Sequence, residues 1–330
     1  MNIFLAIAGN FPAEWTPLAD FQALAVQDRF GVHTLTDSAE NADVILFVDA
    51  HMPHDWRLPA IMNHPLTQQF PQKTLIYDDR DRPWCTLPGL YVSMPQSSFD
   101  SCRQTAVPYY KNHNEYIGQE SAVTPDLLFS FMGQKSHSVR EPLLTLTHPH
   151  AVIEDTSHTN LFDLSENRDE QRIQTQKRCY QEIMQRSKFI LCPRGHGATS
   201  FRLQEALTLG RVPVIISDEW TPPAGIDWPA CSLRVREADI ETLPVLLEKR
   251  EADYPALAAQ ARRAYENYLA PDVFFHHTAE HCRILIENGA CAAKRPWPDK
   301  QYLRVGLGAA RGEVRQWLGK AKAQINRGGA

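Results

Sequence analysis

Short apolar runs separated by polar stretches recur along the first 120 residues: NIFLAIA (2–8), VHTLT (32–36), DVILFVDAH (43–51), KTLIYDD (73–79) and GLYVSMP (89–95). Their near-continuous apolar character predicts strands buried on both faces, as in a parallel sheet covered by helices. The stretch around 108–124, with YYKNHNEYIGQESAVTP at 109–125, is polar, lacks a period and ends in proline, which marks it as the expected linker. A second series follows. LLFSFMG (127–133), HAVIEDT (150–156), KFILC (188–192), VPVII (212–216) and CSLRV (231–235) read as strands, with helices expected over 169–187, 237–249 and 253–269 and a largely helical stretch from 271. Two consecutive α/β series predict two Rossmann-like domains facing a cleft, one over 1–120 and one over 121–290, with a helical tail at 291–330 that folds back on the N-terminal domain.

The most informative segment lies between two of these strands. GHGATS (195–200) fits G-x-G-x-x-small, and Asp218 stands just past the next strand, near where a dinucleotide's ribose-binding acid would sit. A nicotinamide-dependent oxidoreductase is therefore one reading, weakened by Ser200 at the third glycine position and by Arg194 entering the loop. Either way the segment asks for an anion. Gly195 and Gly197 allow the backbone to adopt positive φ and to approach a ligand closely. Thr199 and Ser200 are expected to cap a helix over 201–209, whose free amides and dipole suit a phosphate, with Arg194 adding a charged fork and Gly210 closing the helix. Leu203, Ala206, Leu207 and Gly210 make the core stripe, so Arg202 and Glu205 are expected to point away from the core, either as a surface ion pair or toward a ligand. A carboxylate one turn from such a helix end suits the two hydroxyls of a ribose. Cys192, closing an apolar strand, reads as structural.

Composition narrows the picture modestly. The 330 residues are 43% hydrophobic and 22% charged with a formal net charge of −5, which gives no reason to expect a nucleic-acid partner. Seven cysteines (85, 102, 179, 192, 231, 282, 291) lack paired spacing, and free thiols in a reducing cytoplasm are expected. The start, MNIFLAIAGNFPAEW, reads as a buried strand rather than a signal peptide, and no apolar run approaches the ~18 residues of a membrane span.

KFILCPRGHGATSFRLQEALTLGRVPVIISDEWTPP (188–223) resembles the signature of the exostosin family of glycosyltransferases: a Cys-Pro-Arg-Gly turn, a Ser-x-Arg-x-x-Glu-Ala helix, a Gly-x-x-Pro-Val-Ile strand and an acidic-Trp-x-x-Pro sequel. FSFMGQKSHSVR (129–140) extends the likeness with a glycine-ended strand and a downstream arginine. The resemblance implies a GT-B architecture with a C-terminal donor domain and an N-terminal acceptor domain. It implies that Glu205 holds the ribose, that Arg194, Thr199, Ser200 and Arg202 hold the diphosphate, and that Gly133 and Arg140 complete the pocket. A soluble, cytoplasmic, bacterial-type member is expected, acting on a surface glycan or lipid-linked acceptor with a UDP-linked donor. A non-catalytic nucleotide-sugar-binding protein is the alternative.

Sugar transfer needs a stabilised leaving diphosphate and a base for the acceptor hydroxyl. The helix end and arginines meet the first need as preorganised positive charge. No Asp-x-Asp pair sits beside the motif, so metal independence, with no required cofactor, is expected along with the inversion that the family implies. For the base, Asp81 is the first choice, in the loop IYDDRDRPWCTLPGLY (76–91) that also holds Asp78, Asp79, Arg82 and Trp84. Asp49, with His51 at the end of DVILFVDAH, and Asp155, after HAVIE, are the others. His277 and His281 are spaced i,i+4 but lack further ligands for zinc and read as a solvated helix face. The basic tail (Lys294, Arg295, Lys300, Arg304, Arg311, Arg315, Lys320, Lys322, Arg327) reads as a solvated face, with weak contact to an anionic membrane as its second role.

Overall fold

A computed structural model of the chain describes residues 1–9, 17–48, 57–81, 83, 85–118, 123–158 and 169–291. The chain forms two compact units, each built from separated pieces: Met1–Tyr91, Ser98–Thr105 and the chain from Phe275 make unit 1, while Val92–Ser97 and Ala106–Phe274 make unit 2. This differs from the expected cuts at 120 and 290. The supposed linker belongs to unit 2, where its polar side chains serve the helices beneath it. Asn112 Nδ2 donates to Thr208 Oγ1 at 3.1 Å, Asn114 Nδ2 to the Lys177 carbonyl at 2.9 Å and Tyr116 Oη to Gln174 Oε1 at 2.7 Å. Ile117 joins the buried core.

Unit 1 contains β1 (Asn2–Ala6), β2 (Thr34–Leu35), β3 (Val44–Phe47), β4 (Thr74–Asp78), β5 (Gly89–Tyr91) and β6 (Gln104–Ala106), in the sheet order β2-β1-β3-β4-β5-β6. The pairs from β2 through β5 are parallel. Every residue of β3 and β4 is buried, as their unbroken apolar sequence predicts. Helices α1 (Leu18–Gln27), α2 (Arg57–Met62) and α3 (Pro65–Gln69) follow, and Phe21 of α1 meets Tyr77 of β4 edge-on at 5.0 Å. The expected strand 89–95 stops at Tyr91 because Val92–Ser97 belongs to unit 2, where Pro95 bridges Trp220. Strand β6 was not foreseen in the sequence.

Unit 2 contains β7 (Leu127–Gly133), β8 (Ala151–Asp155), β9 (Ser187–Pro193), β10 (Val212–Ile216) and β11 (Leu233–Val235), in the order β11-β10-β9-β7-β8 with every pair parallel. Its helices are α4 (Arg140–Leu143), α5 (Glu170–Arg186), α6 (Phe201–Thr208), α7 (Trp228–Cys231), α8 (Leu243–Arg250) and α9 (Tyr254–Ala264), and α10 (Pro271–Glu287) leads back into unit 1. Alternate strand residues feed two cores. Met132, Ile190, Cys192 and Ile215 pack with Tyr180 and Met184 of α5 and with Leu203, Ala206 and Leu207 of α6. Phe129, Phe131, Phe189, Leu191, Val212, Val214 and Ile216 pack with Leu143 of α4 and with Leu243 and Leu247 of α8. Helices on both faces explain why these strands show no polar alternation. Among the described residues no helix is long and apolar enough to cross a membrane. The tail beyond Cys291 lies outside the described residues.

Candidate active site

The strand order of unit 2 reverses direction between β7 and β9. In open parallel sheets the ligand crevice opens at such a point, outside the carboxyl ends of the strands. Here those ends are Gly133 and Pro193. The predicted donor-site residues all fall in this region of unit 2, with Gly133 closing β7, Arg140 opening α4, and Arg194, Gly195, Gly197, Thr199, Ser200, Arg202 and Glu205 running from the end of β9 into α6.

Gly133 is glycine because Arg202 lies against it. A Cβ there would overlap the Arg202 guanidinium and come within 2.7 Å of the Phe131 ring. Arg202 donates from Nε and Nη2 to the Met132 carbonyl at 3.2 and 2.6 Å. Its guanidinium carbon lies 4.8, 5.2 and 5.8 Å from the ring centroids of Phe131, Phe201 and Tyr180. Nη1 is buried with no partner.

The expectation that Arg202 and Glu205 point away from the core is corrected: they are 5% and 1% exposed, and every residue from Arg202 to Thr208 is buried. The apolar stripe revealed only the face toward the sheet. The rest of α6 is covered by the 106–118 segment, through Asn112 on Thr208 and His113 edge-on to Phe201 at 5.5 Å, and by Tyr180 from α5. Glu205 therefore pairs with Tyr180 rather than forming a surface ion pair with Arg202: Tyr180 Oη donates to Oε2 at 2.6 Å, while Oε1 is buried without a partner. Burial pushes the Glu205 carboxyl up to about 7, against the opposing pull of the Tyr180 hydrogen bond and the Arg202 charge.

Neither Gly195 nor Gly197 uses the positive φ that glycine permits. Gly195 instead makes room for Arg140, whose Nη2 would stand 3.0 Å from an added Cβ. Arg140 is 6% exposed and donates to the carbonyls of Gln134, Pro193 and Arg194, so it ties the loop after β7 to the end of β9. Its guanidinium thus holds the backbone of the site. Arg194 anchors through its amide on the Ile216 carbonyl at 3.0 Å, and its Nη1 lies 3.9 Å from Glu237 Oε1 while its Nε is buried without a partner. The Thr199 amide donates to Ser93 Oγ at 3.3 Å. Ser200 is the N-cap of α6 in extended conformation, yet its side chain does not cap and its buried Oγ has no partner. Gly210 ends the helix at φ +62° as expected.

Asp218, the acid the dinucleotide reading needs, is committed elsewhere. Its amide donates to Glu237 Oε1 at 3.1 Å and its Oδ1 accepts from the Glu237 amide at 3.2 Å. Cys192 is 2% exposed and burial pushes its thiol up, in keeping with an unreactive core position. A cavity of about 670 Å³ elsewhere in unit 2 is lined by Trp220, Trp228, Arg234 and Arg250 among others, and by none of the motif's donor-site residues.

The candidate bases fare differently. Asp81 is exposed in the loop after β4, whereas Asp78 is fully buried and accepts from Arg80 at 2.9 and 2.5 Å. Asp49, His51, Arg82 and Trp84 lie outside the described residues. Asp155 ends β8 with Oδ1 accepting from the Ser157 amide at 2.9 Å and hydroxyl at 2.5 Å, and with Lys135 Nζ 3.1 Å from Oδ2. These bonds hold its carboxyl down at about 2, too weak a base for a hydroxyl near neutral pH. His277 and His281 gather no metal set: among the described residues no three His, Cys, Asp or Glu are grouped to hold an ion. His281 is half-buried rather than fully solvated, and burial, then His277, lowers it to about 4.

Residues 21–250 match the family model of the exostosin GT47 domain. The chain belongs to the exostosin GT47 family. An exostosin-1 homolog of Caenorhabditis elegans is 39% identical over 93 residues, 27% of this chain and 24% of that protein. A probable glucuronosyltransferase of Oryza sativa subsp. japonica is 34% identical over 131 residues, 38% and 30% of the two chains. The probable glucuronoxylan glucuronosyltransferase IRX7 of Arabidopsis thaliana is 45% identical over 71 residues, 21% and 16%. The matches thus span less than a third of each of these relatives. Similar solved structures include a glycosyltransferase from Rickettsia africae (TM-score 0.43, 10% identity, 87% of this chain and 98% of that one). HepE of Anabaena in complex with UDP-glucose is another (TM-score 0.43, 9% identity, 86% and 99%). The exostosin chain has the two α/β units, each with a parallel sheet, that its sequence predicts. Tyr180, Phe131 and Ser93 are site residues that the sequence reading missed. Tyr180 alone left a trace, four residues before Met184 on an otherwise polar helix.

Proposed function

We propose that this chain is a glycosyltransferase that moves a sugar from a nucleoside diphosphate-sugar, UDP-linked, to a hydroxyl of a glycan or lipid-linked acceptor. The reading rests on one observation above all: Ser200 Oγ, Arg202 Nη1 and Glu205 Oε1 are buried, polar and unpartnered on the first residues of α6. Buried polar atoms are seldom left so, and a hydroxyl and a cationic N–H as donors suit a phosphate while a carboxylate acceptor suits sugar hydroxyls. Five residues of helix span about 7 Å, a length that suits a ribose at Glu205 and a diphosphate at the helix start. The α6 dipole and the Arg202 and Arg194 charges stabilise the leaving diphosphate, the role a divalent metal would otherwise take. The acceptor oxygen forms a bond to the anomeric carbon as the bond to the β-phosphate oxygen breaks, the configuration inverts, and a general base, for which Asp81 and Asp49 are the candidates, takes the acceptor proton. Family membership supports the same reaction class.

The test is binding followed by turnover. A thermal-shift screen of nucleotide sugars should raise stability by about 2.7 kcal/mol at 100 times the dissociation constant. Glu205→Gln, close in shape and uncharged, should abolish both the shift and sugar transfer while the protein stays folded. Saturable binding without transfer to any acceptor would favour a non-catalytic binding protein. Unchanged donor affinity in Glu205→Gln would refute the site assignment.

A further inference from the structure

We infer that Tyr180 is a positioning residue for nucleotide recognition: its phenol occupies one oxygen of Glu205 and aims the other, as an ionised acceptor, at the ribose hydroxyls. This rests on the proposed reading of the site as one for a nucleoside diphosphate. Tyr180 sits on α5, is 5% exposed, and donates to Oε2 at 2.6 Å, leaving Oε1 as the unpartnered oxygen. A carboxylate held through one oxygen can no longer rotate freely, so the lone pairs of the other have a fixed direction. The same ring lies 5.8 Å from the Arg202 guanidinium carbon, so one side chain braces both the ribose-facing and the phosphate-facing group of α6.

The charge state follows from the same contacts. The ionisable groups felt at Glu205 are Tyr180 from α5, Cys192 from β9 and Arg202 from its own helix. Burial opposes ionisation, and Tyr180 and Arg202 are the two groups that favour it. With its thiol pushed up by burial, Cys192 contributes no charge. Without the phenol, the carboxyl would take up a proton at higher pH and would present a donor where the sugar needs an acceptor.

Tyr180→Phe keeps the ring and removes one hydroxyl. The measurement is calorimetric titration with UDP and 2′-deoxy-UDP from pH 6 to pH 9, on the full chain. We expect the variant to bind UDP about tenfold more weakly at pH 7, the cost of one hydrogen bond to a charged group. It should recover most of that loss by pH 9 and lose its preference for UDP over the deoxy analogue at pH 7. A ring-fluorinated tyrosine at position 180, a stronger donor of unchanged shape, should move the midpoint of the pH profile downward, and it carries the test if the phenylalanine variant does not fold. A uniform loss at every pH, or affinity and midpoint equal to those of the parent protein in either variant, overturns the inference. Failure of the unaltered protein to bind UDP, ADP or GDP at any pH overturns the nucleotide reading itself, which is a different result from equal binding by both proteins.

Discussion

The two sheets begin from the same plan and end in opposite chemistry. Unit 1 runs β2-β1-β3-β4-β5 and unit 2 runs β8-β7-β9-β10-β11, so each places its first strand between its second and third. In unit 2 the strand ends beside the reversal are backed by three arginines, Arg140, Arg194 and Arg202, two of which spend most of their donors on main-chain carbonyls. In unit 1 β4 ends on Asp78, balanced by Arg80, and the described part of the loop after it carries Asp79 and Asp81. Shared topology fixes where loops can bind, and side chains decide what they bind. A cationic strand end suits a phosphorylated ligand.

The comparison can be broken in four places. Asp81→Asn should lower turnover by about 10²–10⁴-fold, the usual worth of a general base, and leave UDP affinity unchanged. Loss of donor binding in that variant would show that the two strand ends do not divide the work this way, and full activity would pass the role to Asp49. Gly89→Ala in unit 1 should cost about 3 kcal/mol in a denaturation series, because its Cβ would run into the Ile76 backbone of β4, which cannot turn aside.

Glu205 gives unit 2 a pH signature. With its folded value raised from 4.5 to about 7, the stability it contributes is complete below 4.5 and is lost as pH rises through about 7. Parent protein measured without ligand should therefore lose up to roughly 3 kcal/mol across that window relative to Glu205→Gln, at about 1.4 kcal/mol per unit. Parallel curves would mean that the carboxyl titrates normally. Gly133→Ala should be the mildest, about 1–2 kcal/mol, because the Arg202 guanidinium and the Phe131 ring that it meets are side-chain ends that can shift by a little where the Ile76 backbone cannot. Its signature should be weakened UDP binding with little change in melting.

Much of this was legible in the chain, and the failures share a cause. Strands such as 127–133 and 212–216 match their expected bounds because an apolar run bordered by polar residues carries its own limits. The motif 188–205 also delivered the cluster of residues around β7, β9 and α6. Orientation was another matter. A helical stripe distinguishes the sheet side from its opposite, yet it cannot reveal that a polar segment such as 106–118 will cover the opposite side and bury Arg202 and Glu205. Tyr180 was hidden for the same reason, since its partner lies 25 residues away on a different helix. Arg140 was expected to complete the donor pocket because charge is visible in a sequence, whereas the carbonyls that hold its guanidinium are not.

One consequence concerns anyone who would exchange unit 2 of this chain for that of a relative. Because Val92–Ser97 supplies Ser93 to the loop before α6, and because unit 2 ends at Phe274 inside α10, no single crossover delivers an intact module. A chimera spliced at residue 120 would inherit the signature motif without the serine and isoleucine that seat it. The workable recombinant carries both inserts and joins within the first turn of the last described helix.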